Sequence, residues 1–299
     1  MKVVIAGGSG FLGQPLAAAL TGRGHDVVVL TRGPTVPEGR AVTWNPGSPD
    51  LGPWAGEIDG ADAVVNLAGA EIARRWTAAR KRALVTSRLD STNRLTDAIL
   101  AASAPPPAFV SGSAVGYYGP RGSEVITEQA PAGSDFLSHL CEQWEAAAAR
   151  ASARTRVVHL RTGLALERGG GALARMLLPF TLGLGGPVGS GRQYWPWIHR
   201  RDWVELVIWA LTTPTVSGAL NATAPRPATS RDFARALGRA LHRPALIPTP
   251  AFALKLLFGE MASPLLLSGQ RAVPDMAERL GFAFRSQSID DALTAIFGS

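Results

Sequence analysis

The sequence predicts an α/β protein: a doubly wound parallel sheet with helices on both faces and a smaller mixed lobe at its C-terminal end. Three observations predict it. Short apolar runs alternate with helix-period segments through the first 165 residues, the pattern of strand–helix–strand units joined by right-handed crossovers. A glycine string sits between the first apolar run and the first helix. After about Gly163 the texture loosens into glycine-rich turns and aromatic clusters.

Taken in order, Val3–Ala6 is a short apolar run suited to a strand buried on both faces. Phe11–Gly22 has helical spacing, with Leu12, Leu16 and Leu20 on one stripe and stop signals at Gly22 and Gly24. Val27–Leu30 is the second strand, Ala41–Trp44 a short third and Ala63–Leu67 the fourth. A long helix is expected from Thr77 to about Ala102, ended by Pro105-Pro106-Pro107. Ala108–Ser111 is the fifth strand, Asp135–Ala153 a helix capped by Ser134 or Asp135, and Val157–Leu160 the sixth strand. Beyond lie a helical stretch opened by Gly169-Gly170-Gly171 and running to Leu182, a glycine-rich turn over Gly183–Gly191 and the aromatic run Tyr194–Ile198. Helices are expected at Trp203–Leu211, Arg231–Leu241, Ala251–Phe258 and Asp275–Leu280, and a returning strand near 218–223. The resulting division is a nucleotide-binding domain over 1–165, completed by the returning strand, and a substrate lobe over 166–299 that closes on the C-terminal edge of the sheet.

Composition bounds the function. With 299 residues, 46% hydrophobic and 18% charged, the chain can bury a sizeable core. One cysteine, Cys141, excludes an intrachain disulfide and a multi-thiolate zinc site, and five scattered histidines offer no His-x-x-x-His pair. No metal site is expected. The stretch Met176–Gly191 is too short and too broken to span a bilayer, and four apolar residues at the N-terminus cannot form a signal peptide's apolar core. A cytoplasmic protein is expected, with no membrane partner. The net charge is +7, and its densest cluster runs from Arg74-Arg75 to Arg80-Lys81-Arg82. Without a binding motif or interleaved aromatic platform, this reads as a solvated helix face with some phosphate-facing potential, not as a nucleic-acid surface.

The string Gly7-Gly8-Ser9-Gly10-Phe11-Leu12-Gly13 satisfies Gly-x-Gly-x-x-Gly directly between strand and helix. Glycines there allow a tight turn and close approach of a pyrophosphate to the backbone. The helix N-terminus supplies free N–H groups and partial positive charge. A site for NAD would carry Asp or Glu at the end of the second strand, to bind the ribose hydroxyls. Here that place holds Thr31-Arg32, and no acid follows until Glu38. A guanidinium fork suits a 2′-phosphate, so NADP(H) is the expected cofactor. Asn66-Leu67-Ala68-Gly69 ends the fourth strand at the same ligand-binding edge.

These residues resemble the short-chain dehydrogenase/reductase superfamily, in its extended or atypical epimerase-like branch. The closest resemblance is to NAD-dependent epimerase/dehydratase-like proteins with a C-terminal domain of unknown function. Beyond the glycine loop and Asn66–Gly69, the resemblance is carried by Arg74-Arg75-Trp76, Ser87-Arg88, Gly116-Tyr117-Tyr118-Gly119, Trp144-Glu145 and Gly185–Gly191. It continues through Trp197-Ile198-His199, Gly259-Glu260-Met261, Gly269-Gln270-Arg271 with Pro274, and Gly281-Phe282. It implies a Rossmann-type domain, places Leu67, Ala68 and Gly69 on the adenine-ribose and pyrophosphate side of the cofactor, and sets Arg88 beside it.

The superfamily usually needs Tyr-x-x-x-Lys on the helix after the fifth strand. This chain has three tyrosines and three lysines, and no tyrosine stands four before a lysine. The family's usual spacing, counted back from Glu145, puts Leu137 in the tyrosine place and Cys141 in the lysine place. Neither can move the proton, and Leu137 would instead pack near the nicotinamide. Ser113, at the end of the fifth strand, and Tyr117, in the loop after it, are the catalytic candidates; Tyr118 and His199 are the alternatives. The expected function is an NADP(H)-binding oxidoreductase or epimerase with a small-molecule substrate. The competing reading is an NADPH-binding sensor or scaffold without turnover.

Overall fold

The computed structural model describes residues 1–298. In chain order its elements are β1 (Lys2–Ala6), α1 (Gly13–Thr21), β2 (Asp26–Thr31), β3 (Arg40–Thr43), β4 (Ala63–Asn66), α2 (Ala78–Ala101), β5 (Ala108–Ala114), β6 (Val125–Ile126), α3 (Phe136–Ala149) and β7 (Arg156–Thr162). There follow β8 (Leu164–Leu166), α4 (Gly171–Thr181), β9 (Tyr194–Trp195), β10 (Trp197–His199), α5 (Arg200–Thr212), β11 (Gly218–Ala222), β12 (Ala228–Thr229), α6 (Ser230–Ala240), α7 (Ala251–Phe258), β13 (Arg271–Ala272), α8 (Asp275–Arg279) and α9 (Ile289–Phe297). Seven strands form one parallel sheet in the order β11-β7-β5-β4-β1-β2-β3. The order reverses between β1 and β4, which opens a crevice at their C-terminal ends.

The core follows from period-two alternation along the strands. Val3 and Ile5 of β1 face the layer of α1 and α5, packing with Leu16, Leu20, Trp203 and Val207. Val4 and Ala6 face the opposite layer, with Leu95 and Ile99 of α2 and Ala148 of α3. The helix starts are set by local chemistry. The Thr77 side chain accepts from Arg80 N–H at α2, and Asp135 accepts from Ser138 N–H at α3.

Several boundaries differ from the sequence expectation. The first helix begins at Gly13 and not Phe11, because Gly10–Leu12 belong to the loop. The segment containing α5 covers the sheet, so the chain returns to the first layer well before β11; Trp203, Leu206, Val207 and Ala210 bury a continuous stripe there. The short strands β8, β9, β10, β12 and β13 exist only through partners elsewhere in the chain. The last helix, α9, was not expected. Its signal is present as Ser288-x-x-Asp291, a reciprocal capping box ahead of Ala292, Leu293 and Ile296. Among the described residues, no helix is long and apolar enough to cross a membrane.

Candidate active site

The crevice begins at the glycine loop. Gly7 has φ +80°, and a Cβ on it would stand 2.7 Å from the Leu67 carbonyl carbon, so only glycine joins β1 to the loop beside β4. A Cβ on Gly8 would meet the Val29 side chain at 2.7 Å, and one on Gly13 would overlap the backbone of Gly7 and Gly8. These three glycines are required by the protein's own packing. Gly10 is different: a Cβ there would meet only the Gly7 carbonyl oxygen, at 3.3 Å. The bare backbone at Gly10 therefore faces open space at a helix N-terminus, the geometry of a pyrophosphate cradle. Ser9 stands at the loop's crest and its carbonyl accepts from Gln14 Nε2 (2.8 Å). Leu12 occupies the N-cap position of α1. Phe11 lies against Gly170 and Gly171, with the Arg200 guanidinium over its ring at 5.2 Å, so it links the loop to the second lobe.

Thr31 ends β2 buried, its hydroxyl accepting from Gly33 N–H (3.1 Å). Arg32 follows exposed to solvent, with no carboxylate within ion-pair distance among the described residues. On the other side of the crevice, buried Asn66 donates to Thr92 Oγ1 (2.9 Å) and accepts from Ala68 N–H (3.1 Å), which shapes the Leu67–Gly69 turn. Ser87 Oγ accepts from Ala70 N–H (2.9 Å). Arg88 donates to the carbonyls of Ala70 and Leu84, both at 3.2 Å, and stacks over Trp144 at 5.1 Å. A Cβ on Gly69 would stand 3.1 Å from Arg88 Cζ, so the guanidinium lies directly under the turn. Burial holds its pKa below the ordinary arginine value, and it has no carboxylate partner among the described residues. The glycine loop thus lies against the Leu67–Gly69 turn with Arg88 beneath it, and Thr31-Arg32 ends the strand next to β1.

The C-terminal ends of β5, β7 and β11 carry a buried polar network that the sequence did not reveal. The Arg161 guanidinium meets Glu145 through two hydrogen bonds of 2.8 Å. Ser113 Oγ donates to Glu145 Oε1 (2.6 Å). Arg161 also donates to Tyr118 Oη (2.9 Å), which in turn donates to Asn221 Oδ1 (2.7 Å). The expectation for Ser113 therefore meets a hydroxyl already committed to a buried carboxylate. Tyr118 is wholly buried, and burial pushes its phenol up to about 12 despite the adjacent Arg161. Tyr117 is the available phenol: it is half-buried, and the Arg161 guanidinium lies 3.5 Å from its ring centroid. His199 caps α5 by accepting from Arg201 N–H (3.0 Å), and burial lowers its pKa, so it serves the fold. Leu137 and Cys141 both face inward on α3. Leu137 would touch a Cβ on Gly116 at 3.2 Å, next to Tyr117. Burial and the nearby Glu145 charge push the Cys141 thiol up to about 12, which leaves it a small apolar side chain.

The lobes enclose a cleft of about 660 Å³, within the range of small-molecule sites. Its N-terminal wall is Trp76, Phe136 and Leu137; its C-terminal wall includes Ser190, Lys255, Glu260 and Leu267. Trp76 packs edge-on against Phe136, with centroids 5.2 Å apart. The basic segment of residues 74–82 braces this cleft. Arg74 pairs with Glu71 (2.7 Å), Lys81 pairs with Glu260, and Arg175 pairs with Glu71, so two of these contacts tie the lobes together. Of these walls only Leu137 was singled out from the sequence as a site residue; the others have partners far along the chain.

The fold and this crevice define the class of doubly wound α/β proteins built around a glycine loop, with a second lobe closing a cleft at the sheet edge. The chain belongs to the NAD dependent epimerase/dehydratase family, whose profile matches residues 3–222. Residues 249–296 match a domain of unknown function, DUF1731, which supplies α7 and much of the cleft's outer wall. The chain is 42% identical over 301 residues to epimerase family protein SDR39U1 of Bos taurus, covering 99% of each chain. It is 43% identical over 294 residues to epimerase family protein Mb2239 of Mycobacterium bovis, covering 97% of this chain and 96% of the relative. Human epimerase family protein SDR39U1 (isoform 2), whose crystal structure is with NADPH, superposes with a TM-score of 0.92 at 39% identity over 100% of both chains.

Proposed function

We propose that this protein binds NADP(H) in the crevice between β1 and β4 and acts as an oxidoreductase or epimerase on a small molecule held in the 660 Å³ cleft. The observation that carries the reading is the contrast among the loop glycines: Gly7, Gly8 and Gly13 serve internal packing, while a Cβ on Gly10 would meet only the Gly7 carbonyl oxygen, just ahead of the α1 N-terminus. The structure of human SDR39U1 with NADPH supports the same cofactor. Gly7–Gly13 would receive the pyrophosphate, Arg32 the 2′-phosphate, and Leu67–Gly69 with Arg88 the adenosine-side backbone. Bound there, the nicotinamide supplies hydride transfer. Leu137 keeps water from the inner end of the cleft. Tyr117 Oη holds the proton that a reduced oxygen needs, and no lysine lies beside it to favour the reverse base chemistry. The partner in this reading is a small molecule, with neither nucleic acid nor membrane involved, and the location is the cytoplasm.

The test is NADPH binding by fluorescence titration, followed by NADPH oxidation against a panel of carbonyl compounds and nucleotide sugars. Saturable binding with turnover of at least one compound is expected. Binding without any turnover would favour a sensor or scaffold, the reading that Leu137 and Cys141 in the Tyr and Lys places support. No binding would overturn the proposal.

A further inference from the structure

The second lobe carries a concentration of exposed apolar side chains that neither the crevice nor the cleft uses. Of the thirteen large apolar side chains exposed among the described residues, nine fall in two segments, 178–184 and 246–258. Helix α7, Ala-Phe-Ala-Leu-Lys-Leu-Leu-Phe, has Lys255 as its one charged residue and is apolar on every side. A helix of that composition is normally surrounded by protein. Here Leu254 is its one buried residue. Phe252 and Leu256, four apart on the opposite face, are 75% and 79% exposed, and Leu257 is 67% exposed.

The two segments meet along a short ladder. Ile247 N–H donates to the Gly185 carbonyl (3.1 Å), Thr249 N–H to that of Pro187 (2.9 Å), and Gly189 N–H to that of Thr249 (2.9 Å). Leu184 and Leu246 directly precede the two sides of this ladder, and α7 starts two residues beyond its end. Arg243 Nε donates to the Thr181 carbonyl (3.2 Å), which holds the end of α4 against the same segment. Taking about 100 Å² of apolar area for a fully exposed leucine or phenylalanine, the nine side chains present roughly 600 Å². That is at the top of the range found on monomers and most of the roughly 800 Å² that one partner contributes to a stable interface. The charges on and directly after α7, Lys255 and Glu260, are of opposite sign, so α7 offers no excess charge with which to select a polyanion or an anionic lipid surface. A face that is apolar at its centre and balanced in charge can pair with a copy of itself about a two-fold axis.

We propose that this face, centred on Phe252, Leu256 and Leu257 of α7, is a two-fold interface between copies of this chain. The same helix presents Ala251 and Lys255 to the cleft, so the second copy supports the cleft's outer wall from behind. None of these residues belongs to the glycine-loop crevice, and the inference stands apart from the cofactor reading.

Sedimentation equilibrium of the full chain tests it. The unaltered protein is expected at twice the chain mass, with a Kd below about 10 μM, as an apolar interface of near-standard size gives. The double variant Phe252→Glu, Leu256→Glu should weaken association at least about 100-fold, because anchors at the centre of the interface are lost from both copies. Leu51→Glu and Leu280→Glu, at exposed leucines outside the two segments, should leave it unchanged. Amide hydrogen exchange of the unaltered protein gives a second readout that holds even where the double variant does not fold. Exchange in α7 should slow as the concentration is raised through the Kd, while exchange in α1 keeps its rate. A chain that stays monomeric at about 100 μM, a dimer that survives the double variant, or α7 exchange independent of concentration would overturn the proposal. So would a monomer that sediments with phosphatidylglycerol–phosphatidylcholine vesicles, which would make this face a lipid-binding surface.

Discussion

Replacing Glu145 by Gln would leave the Arg161 guanidinium buried without its counter-charge. The two side chains are only 5% and 11% exposed, so water cannot stand in for the lost carboxylate. Removing one partner of such a pair costs roughly 3–5 kcal/mol. Glutamine keeps the shape and one oxygen acceptor for Ser113 Oγ, which puts the expectation at the lower end, about 3 kcal/mol. Urea unfolding followed by circular dichroism measures it: with an m-value of about 3 kcal/mol/M, the midpoint should fall by about 1 M. Glu145→Leu combined with Arg161→Met should recover to within about 1 kcal/mol of the unaltered protein, because an apolar pair of similar volume avoids the desolvation cost. Tyr118 keeps its bond to Asn221 in that double variant. A loss below about 1 kcal/mol in the single variant, or a double variant no better than the single, would refute the view that this pair is dry and mutually dependent.

Arg32→Ala should weaken NADPH binding by about 10- to 150-fold and NADH binding hardly at all, the range of a charge-assisted contact to phosphate; an equal loss for both would detach Arg32 from the 2′-phosphate. Gly10→Val should abolish NADPH binding yet leave the urea midpoint nearly unchanged, since a Cβ there meets only one backbone atom; retained affinity would place the nucleotide elsewhere. Tyr117→Phe should cut turnover of any substrate found by about 10²–10⁴-fold with NADPH affinity intact, and unchanged turnover would clear this phenol. Hydrogen bonding from Arg40, aided by Lys2, holds the Glu57 carboxylate down to about 2 from an ordinary 4.5, so its stabilisation is present above pH 4.5 and is lost as the pH falls toward 2. Glu57→Gln should flatten that acid limb in stability measured against pH, and an unaltered limb would contradict the assignment.

What the sequence determined by itself was local. The apolar runs of β1, β2, β4 and β5 and the glycine loop announce themselves within about seven residues each, because a strand buried on both faces needs no partner to show its composition. The absence of an acid after β2 pointed to Arg32 for the same reason: the whole signal lies in two adjacent residues. α9 was equally legible through Ser288 and Asp291, and was missed only because its apolar stripe is short. Tertiary structure alone decided the rest. Glu145 and Arg161 stand on different elements, α3 and β7, and nothing in either's neighbourhood in sequence predicts a bidentate pair. That pair separates two adjacent tyrosines, burying Tyr118 in the network and leaving Tyr117 half-buried against the Arg161 guanidinium, a distinction no one-dimensional pattern carries. α5 joined the sheet domain because its apolar stripe matched a sheet face formed by strands far earlier in the chain. The cleft is built from Trp76, Phe136 and Leu267, residues brought together only by docking of the second lobe. Local propensity and spacing fix which segments can be strands or helices, whereas burial, pairing and the shape of a site depend on contacts between distant segments, which exist only once the chain has folded.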